Sequence, residues 1–221
     1  MKIKNKKALK IVLSIFGVIL IVIAIFVIKV LSISTPTKGT LIRKYNDPKA
    51  ALLVIDMQKD TTGNNSFYGD TTEFIDRVNQ SIDIANKKAM EIVYVKQECK
   101  NNPLDLVISA GRYRAGSEGV QLDSRLKVVN ENIFTKNKSD AFSTKEFENY
   151  LISKQIDTLY IAGADATGCV YKTALGGINR KYKVFVVEDS IISVNNKILK
   201  EMLNKYSSDG ISVTSLEQFD K

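Results

Sequence analysis

The sequence predicts an α/β fold in which a parallel sheet carries helices on both faces. Two patterns point to it. Short, continuously apolar runs alternate with longer segments of helical periodicity, and polar residues able to do chemistry stand directly after several of those runs. Continuous apolar strands are expected where both faces of a sheet are covered, and strand–helix alternation is the signature of parallel crossovers. A third feature stands apart from this domain: one long apolar segment precedes it.

In chain order, the apolar runs are Ala50–Ile55, Ile92–Val95, Asn132–Thr135, Thr158–Ala162, Val184–Val187 and Ile211–Thr214. Between them, Thr72–Ala89 sets Phe74, Ile75, Val78, Ile82 and Ala85 on one stripe, and Thr144–Ser153 does the same with Phe147, Tyr150 and Leu151. Val170–Arg180 and Asn195–Tyr206 complete the helical segments.

Of the 221 residues, 1–10 form a basic tail with lysines at 2, 4, 6, 7 and 10, and 11–33 are almost wholly apolar. That length suffices to span a bilayer as a helix. A cleaved signal peptide is the competing reading. Its apolar core runs to only about 7–15 residues and ends at a small-residue site, for which Ser32-Ile-Ser-Thr-Pro36 is a poor match, so an uncleaved transmembrane anchor is favoured. The lysines before the span, set against Lys29, Lys38, Arg43 and Lys44 after it, lean toward a domain outside the cytoplasm. Residues 34–48 read as a polar linker and 49–221 as one compact domain. The net charge of +8 lies largely in these membrane flanks, so it speaks of topology and anionic lipid; no nucleic-acid motif follows. Self-association is left open.

The chain has no histidine, which removes Ser-His-Asp, Cys-His and histidine-zinc chemistry. It has two cysteines, too few for a disulfide framework, although a redox pair of Cys99 and Cys169 stays open. Cys169 stands in Ile161-Ala-Gly-Ala-Asp-Ala-Thr-Gly-Cys169, which reads as strand, small-residue turn, then a helix beginning at the thiol. A helix N-terminus favours thiolate. In folds of this class chemistry gathers at the carboxyl ends of strands. Asp56 follows the first run, Lys136 ends the third, and Cys169 follows the fourth: a base, a cation and a nucleophile at one sheet edge. Singly, an aspartate there caps a turn, a lysine beside Lys138 and Lys145 is solvated surface, and a cysteine packs; together they make a site. Gln97 and Arg112 are placed near it by sheet-edge position alone.

Leu53-Val-Ile-Asp-Met-Gln58, Lys136 with Ser139-Asp-Ala-Phe142, and Gly163-x5-Cys169-Val-x2-Thr-Ala174 together resemble the isochorismatase-like cysteine hydrolases, which include nicotinamidases and N-carbamoyl amide hydrolases. The resemblance covers the domain from Ala50 to about Thr214. It implies a three-layer fold with a six-stranded parallel sheet and an Asp-Lys-Cys triad matching Asp56, Lys136 and Cys169. Asp56 would be acid and base, Lys136 the charge stabiliser, and Cys169 the nucleophile, its pKa lowered by Lys136 and the helix end. It further implies a cis peptide between Ala164 and Asp165, and an oxyanion hole from the backbone N–H groups of Asp165 and Cys169. Gln58, Tyr68 and Gln97 are the expected substrate-binding residues, with Phe67 or Tyr68 replacing an aromatic that the family carries after its Asp-x-Gln. The family's metal-binding branch uses histidines, so no metal and no cofactor is expected. The partner is a small amide-like substrate, cleaved at an amide or ureido C–N bond. Two alternatives stand beside this: a tethered binding or scaffold protein that has lost turnover, supported by Lys59-Asp60 after Gln58 and by the acidic Asp165, and an isochorismatase-type ether hydrolase.

Overall fold

A computed structural model describes the backbone of residues 2–221 and the side chains of residues 9–221; of the basic tail 1–10, most side chains lie outside the described residues. The chain divides into two compact units, 1–33 and 34–221. The first is a single helix, α1 (Lys2–Ser34), whose stretch Leu9–Ser34 is long and apolar enough to cross a membrane. At 1.5 Å per residue its 26 residues extend about 39 Å, beyond the roughly 30 Å of a hydrocarbon core. A signal sequence near an N-terminus has the same character.

The second unit is the α/β domain. Its elements run β1 (Lys49–Ile55), α2 (Lys59–Thr62), α3 (Thr72–Lys87), β2 (Glu91–Gln97), α4 (Pro103–Ile108), β3 (Ile133–Lys136), α5 (Lys145–Ser153), β4 (Ile156–Gly163), α6 (Cys169–Asn179), β5 (Lys183–Ile191), α7 (Asn196–Ser208), β6 (Ser212–Thr214) and α8 (Leu216–Asp220). The six strands form one sheet in the order β3-β2-β1-β4-β5-β6, and every neighbouring pair is parallel. The expected three-layer α/β architecture with a six-stranded parallel sheet is therefore present. Strand β1 displays the two-sided burial: Ala51, Leu53 and Ile55 enter one core with residues of α5, α6 and α7, while Leu52 and Val54 enter another with α3 and α8.

Three short helices were not expected, although two carry readable signals. Asn102 caps α4 by accepting from the Asp105 N–H at 3.0 Å, with Pro103 in the first turn. Ser215 and Gln218 form a capping box at α8.

The segment 34–48, expected as a linker, is docked on the domain. The N–H and hydroxyl of Thr37 donate to Asp140 Oδ2 at 2.7 and 2.6 Å, and its carbonyl accepts from Arg180 Nη1 at 3.1 Å and Asn179 Nδ2 at 2.9 Å. Ile42 packs on the core and Tyr45 is buried. The polar composition that suggested a free linker instead satisfies two buried charges, Asp140 and Arg180.

The strand order reverses around β1. The chain winds outward through β2 and β3, then returns to β4 on the other side, which opens a crevice past the ends of β1 and β4.

Candidate active site

Asp56 is the first residue past β1. It takes φ = 52°, a left-handed conformation that aspartate tolerates better than most residues, and its N–H donates to the Val95 carbonyl at 2.8 Å. Across the crevice, Gly163 has φ = 119°, and a Cβ there would run into the backbone of Ile55. Only glycine lets β4 close on β1 at this point, with the Ala164 N–H donating to the Ile55 carbonyl at 2.9 Å. The next peptide, Ala164–Asp165, is cis, as the resemblance implies. Helix α6 then begins at Cys169, with Gly168 as its N-cap.

Lys136 ends the edge strand β3, in register with Gln97 of β2. Its side chain is fully buried and reaches past Gln97 toward the end of β1. The ammonium donates to Asp56 Oδ2 at 2.8 Å, Gln97 Oε1 at 2.6 Å and Cys169 Sγ at 3.2 Å. Its three N–H bonds thus have three acceptors. Burial opposes its charge, but the Asp56 carboxylate and the Cys169 sulfur outweigh it and hold the ammonium above the usual lysine range.

The other Asp56 oxygen, Oδ1, is buried without a hydrogen-bond partner. The thiol beside it behaves contrary to the expectation of a lowered pKa. Burial pushes Cys169 up to about 12, the Asp56 charge adds to the rise, and Lys136 offsets only part. Beyond burial, Lys136 already neutralises Asp56, so a thiolate would be a second anion against one cation. The resting site holds a protonated thiol next to a free carboxylate oxygen.

Cys169 and Asp56 open on a cleft of about 300 Å³, also lined by Gln97, Tyr68, Phe67, Arg112, Tyr113, Asp165 and Val194. No acceptor among the described residues takes the N–H of Asp165 or of Cys169. The Asp165 carboxylate accepts from the Thr167 N–H at 2.7 Å and from the Thr167 hydroxyl. Tyr68 stands beside it: burial first, then the Asp165 charge, keep its phenol protonated.

Of the expected substrate-binding residues, Tyr68 and Gln97 line the cleft, Gln97 with its carbonyl oxygen already on Lys136. Gln58 does not line it. Its amide is fully buried, donating to the Gln97 and Val120 carbonyls, both at 2.9 Å, and accepting from the Gln97 N–H at 2.7 Å. It fastens the turn after β1 to the end of β2. Phe67 and Tyr68 both line the cleft, edge to face with centroids 5.9 Å apart. Tyr113 was not anticipated; it too has a left-handed backbone, φ = 56°, and its N–H donates to Asp60 Oδ2 at 2.6 Å. Burial pushes its phenol up to about 12. Asp60, part of the segment that departs from the family pattern, thus positions the loop carrying Arg112 and Tyr113. Both cysteines are free, and Cys99 lines a different cleft from Cys169. No cluster of three or more histidine, cysteine, aspartate or glutamate residues among the described residues is placed to hold a metal.

Residues 50–218 match the family model of the isochorismatase domain. Among curated proteins, the chain is 33% identical over 78 residues to an N-carbamoylsarcosine amidase from Arthrobacter, a match covering 35% of this chain and 30% of that protein. The chain therefore aligns with under a third of that relative's length. Among solved structures it superposes on a cysteine hydrolase from Pseudomonas syringae with a TM-score of 0.70 at 15% identity, covering 82% of this chain and 95% of that one. It also superposes on an N-carbamoylsarcosine amidase from Thermoplasma acidophilum with a TM-score of 0.63 at 21% identity, covering 76% and 97% respectively. These structural likenesses concern the fold. The family match spans nearly the whole α/β domain, and the chain belongs to the isochorismatase-like hydrolase superfamily.

Proposed function

We propose that the protein is a membrane-anchored cysteine hydrolase that cleaves a small amide or ureido C–N bond through an acyl-thioester on Cys169. The observation that carries this reading is the division of labour at Asp56. One oxygen is held by Lys136 at 2.8 Å, and the other is buried, unpartnered and adjacent to a protonated thiol.

The steps follow from that arrangement. A substrate carbonyl enters beside Cys169. The thiol proton passes to Asp56 Oδ1 as sulfur bonds to the carbonyl carbon, and the carbonyl oxygen takes the negative charge. The free N–H groups of Asp165 and Cys169 receive it; one such donor contributes roughly 10²–10³-fold in rate. Asp56 then gives its proton to the leaving nitrogen, the C–N bond breaks and the thioester remains. Water attacks the thioester with Asp56 taking its proton, the C–S bond breaks, and the proton returns to sulfur. Lys136 stays an ammonium throughout, and its charge keeps Asp56 and the transient thiolate compatible. The high resting pKa of Cys169 means that activation is coupled to substrate attack rather than stored as thiolate. The N-carbamoylsarcosine amidase relatives favour the ureido class of substrate.

The anchor reading rests on the apolar length of Leu9–Ser34 and the lysines before it. Alkaline extraction of membranes should leave the full chain in the pellet and release a chain starting at Ser34. The enzymatic reading is tested with a panel of small primary amides and N-carbamoyl compounds. Wild type should turn over at least one class, and Cys169→Ala none. Undiminished turnover by Cys169→Ala would falsify the thioester mechanism.

A further inference from the structure

Asp140 and Arg180 are buried charges outside the cleft, and the mechanism uses neither. The segment before β1 satisfies both. Thr37 gives its N–H and its hydroxyl to Asp140 Oδ2, and its carbonyl accepts from Arg180. Ile42 then donates its N–H to the Arg180 carbonyl at 3.0 Å. The fit is close: a Cβ at Gly39 would run into the Arg180 guanidinium, and one at Gly176 into the Asp140 carboxylate.

Both charges belong to the elements that carry the reacting groups. Asp140 stands four residues past Lys136, on the segment that leaves β3. Arg180 closes the helix whose first residue is Cys169. The two elements are tied to each other as well. The Ala141 N–H donates to Thr173 Oγ1 at 3.1 Å, one turn along α6 from Cys169, and the Arg180 guanidinium lies over the Phe142 ring at 4.5 Å. Because β3 is an edge strand, paired only with β2, the placement of Lys136 depends on what holds the chain after it. Asp140 is that hold: Oδ1 accepts from the Phe142 N–H at 2.9 Å, and Oδ2 takes both donors of Thr37. A buried carboxylate keeps its place only while such donors are present. Resting on the hydrolase reading above, we propose that Thr37 is a positioning residue for the reaction. By fixing Asp140 it sets the approach of Lys136 to Asp56 and Cys169, which makes the segment between the apolar helix and the domain a working part of the site.

The test compares three variants of the full chain solubilised in detergent. Thr37→Val keeps the N–H and removes the hydroxyl, Thr37→Ser restores it, and Ile42→Ala weakens the same segment where it packs on the core. A displaced ammonium offsets less of the Asp56 charge that raises the thiol. Iodoacetamide should therefore alkylate Cys169 at pH 9 about three- to tenfold more slowly in Thr37→Val, with Cys99 unchanged as internal reference. On the best amide of the panel, kcat should fall roughly tenfold at constant KM, within the ~10²-fold that a misplacement of about 1 Å costs. Thr37→Ser should restore both rates, and Ile42→Ala should lower the urea midpoint without moving either. An unchanged or faster Cys169 alkylation in Thr37→Val, an unchanged kcat, no recovery in Thr37→Ser, or the same shifts in Ile42→Ala overturns the proposal. Slowed alkylation in a protein that turns over no amide overturns the hydrolase reading and leaves the hold of Thr37 on Lys136 standing. Turnover by wild type with neither rate altered in Thr37→Val does the reverse.

Discussion

The floor and the wall of the cleft are built in different ways. The floor consists of Asp56, Lys136 and Cys169, each at the end of a strand or the start of a helix, and set by the register of the parallel sheet. The wall consists of the loops around 59–68 and 110–115, where Phe67 and Tyr113 project and where left-handed residues recur at Ala110, Gly111 and Tyr113. On the proposed mechanism, chemistry that needs sub-ångström placement would sit on elements that cannot shift without unpairing strands, and selection among substrates on segments that change without disturbing the core. Substitutions in the floor should therefore abolish turnover, and substitutions in the wall should change affinity.

The largest effect is expected at Asp56. Asp56→Asn removes the proton acceptor and should lower kcat on the best amide of the panel by roughly 10³-fold. The same change removes the anion that helps to raise the Cys169 pKa, so alkylation of Cys169 by iodoacetamide should become faster as turnover disappears. The direction follows from the resting pKa of about 12. In wild type the thiol is protonated at every pH below that value, and alkylation should climb about tenfold per pH unit from 8 to 11 without a plateau. In Asp56→Asn the whole curve moves to lower pH. A curve that stays in place, measured by mass spectrometry of the Cys169 peptide, would show that Asp56 adds nothing to the suppression of the thiolate by burial.

Next comes the Lys136–Asp56 pair. Lys136→Met leaves a carboxylate buried with no cation, a change that typically costs about 3–5 kcal/mol, read by urea denaturation. The double variant Lys136→Met with Asp56→Asn should regain part of that loss, because no uncompensated charge remains. If the double variant is no more stable than Lys136→Met alone, the two side chains are not the coupled unit that their 2.8 Å contact indicates.

Gln58 joins floor to wall. Gln58→Leu strands the Gln97 N–H and the Val120 carbonyl in a buried setting, and should destabilise by about 1–3 kcal/mol. A loss confined to KM, with stability unchanged, would instead return Gln58 to the substrate-contacting role expected from sequence.

The same division explains what could be read from the chain. Asp56, Lys136 and Cys169 stood out because strands announce themselves through apolar runs, and the residue after a strand in a parallel sheet has a predictable location. Their partnership was legible; their electrostatics were not. The helix N-terminus and Lys136 both argued for a thiolate, and only the structure has Lys136 already committed to Asp56. Gln58 was misplaced because proximity to Asp56 in sequence says nothing of which way a side chain turns after a left-handed residue. Tyr113 was missed because its position depends on a contact with Asp60 across 53 residues. No local periodicity encodes such a contact. The 34–48 segment misled for a related reason: its polar groups are satisfied by Asp140 and Arg180, far away in sequence.

The smallest predicted effect is also the one that best isolates the wall. Asp60 touches neither Cys169 nor Lys136; its carboxylate accepts from the Tyr113 N–H at 2.6 Å and thereby holds the loop that carries Arg112. Asp60→Ala removes that tether without leaving a charge buried, so global stability should change by no more than about 1 kcal/mol. The loop would then sample more conformations, and substrate would have to order it on binding. That cost falls on ground state and transition state alike. KM should rise several-fold while kcat stays within about a factor of two, the signature of lost uniform binding. A fall in kcat of tenfold or more would mean that the loop also sets the geometry of attack at Cys169, and that floor and wall are not separable in the way their construction implies.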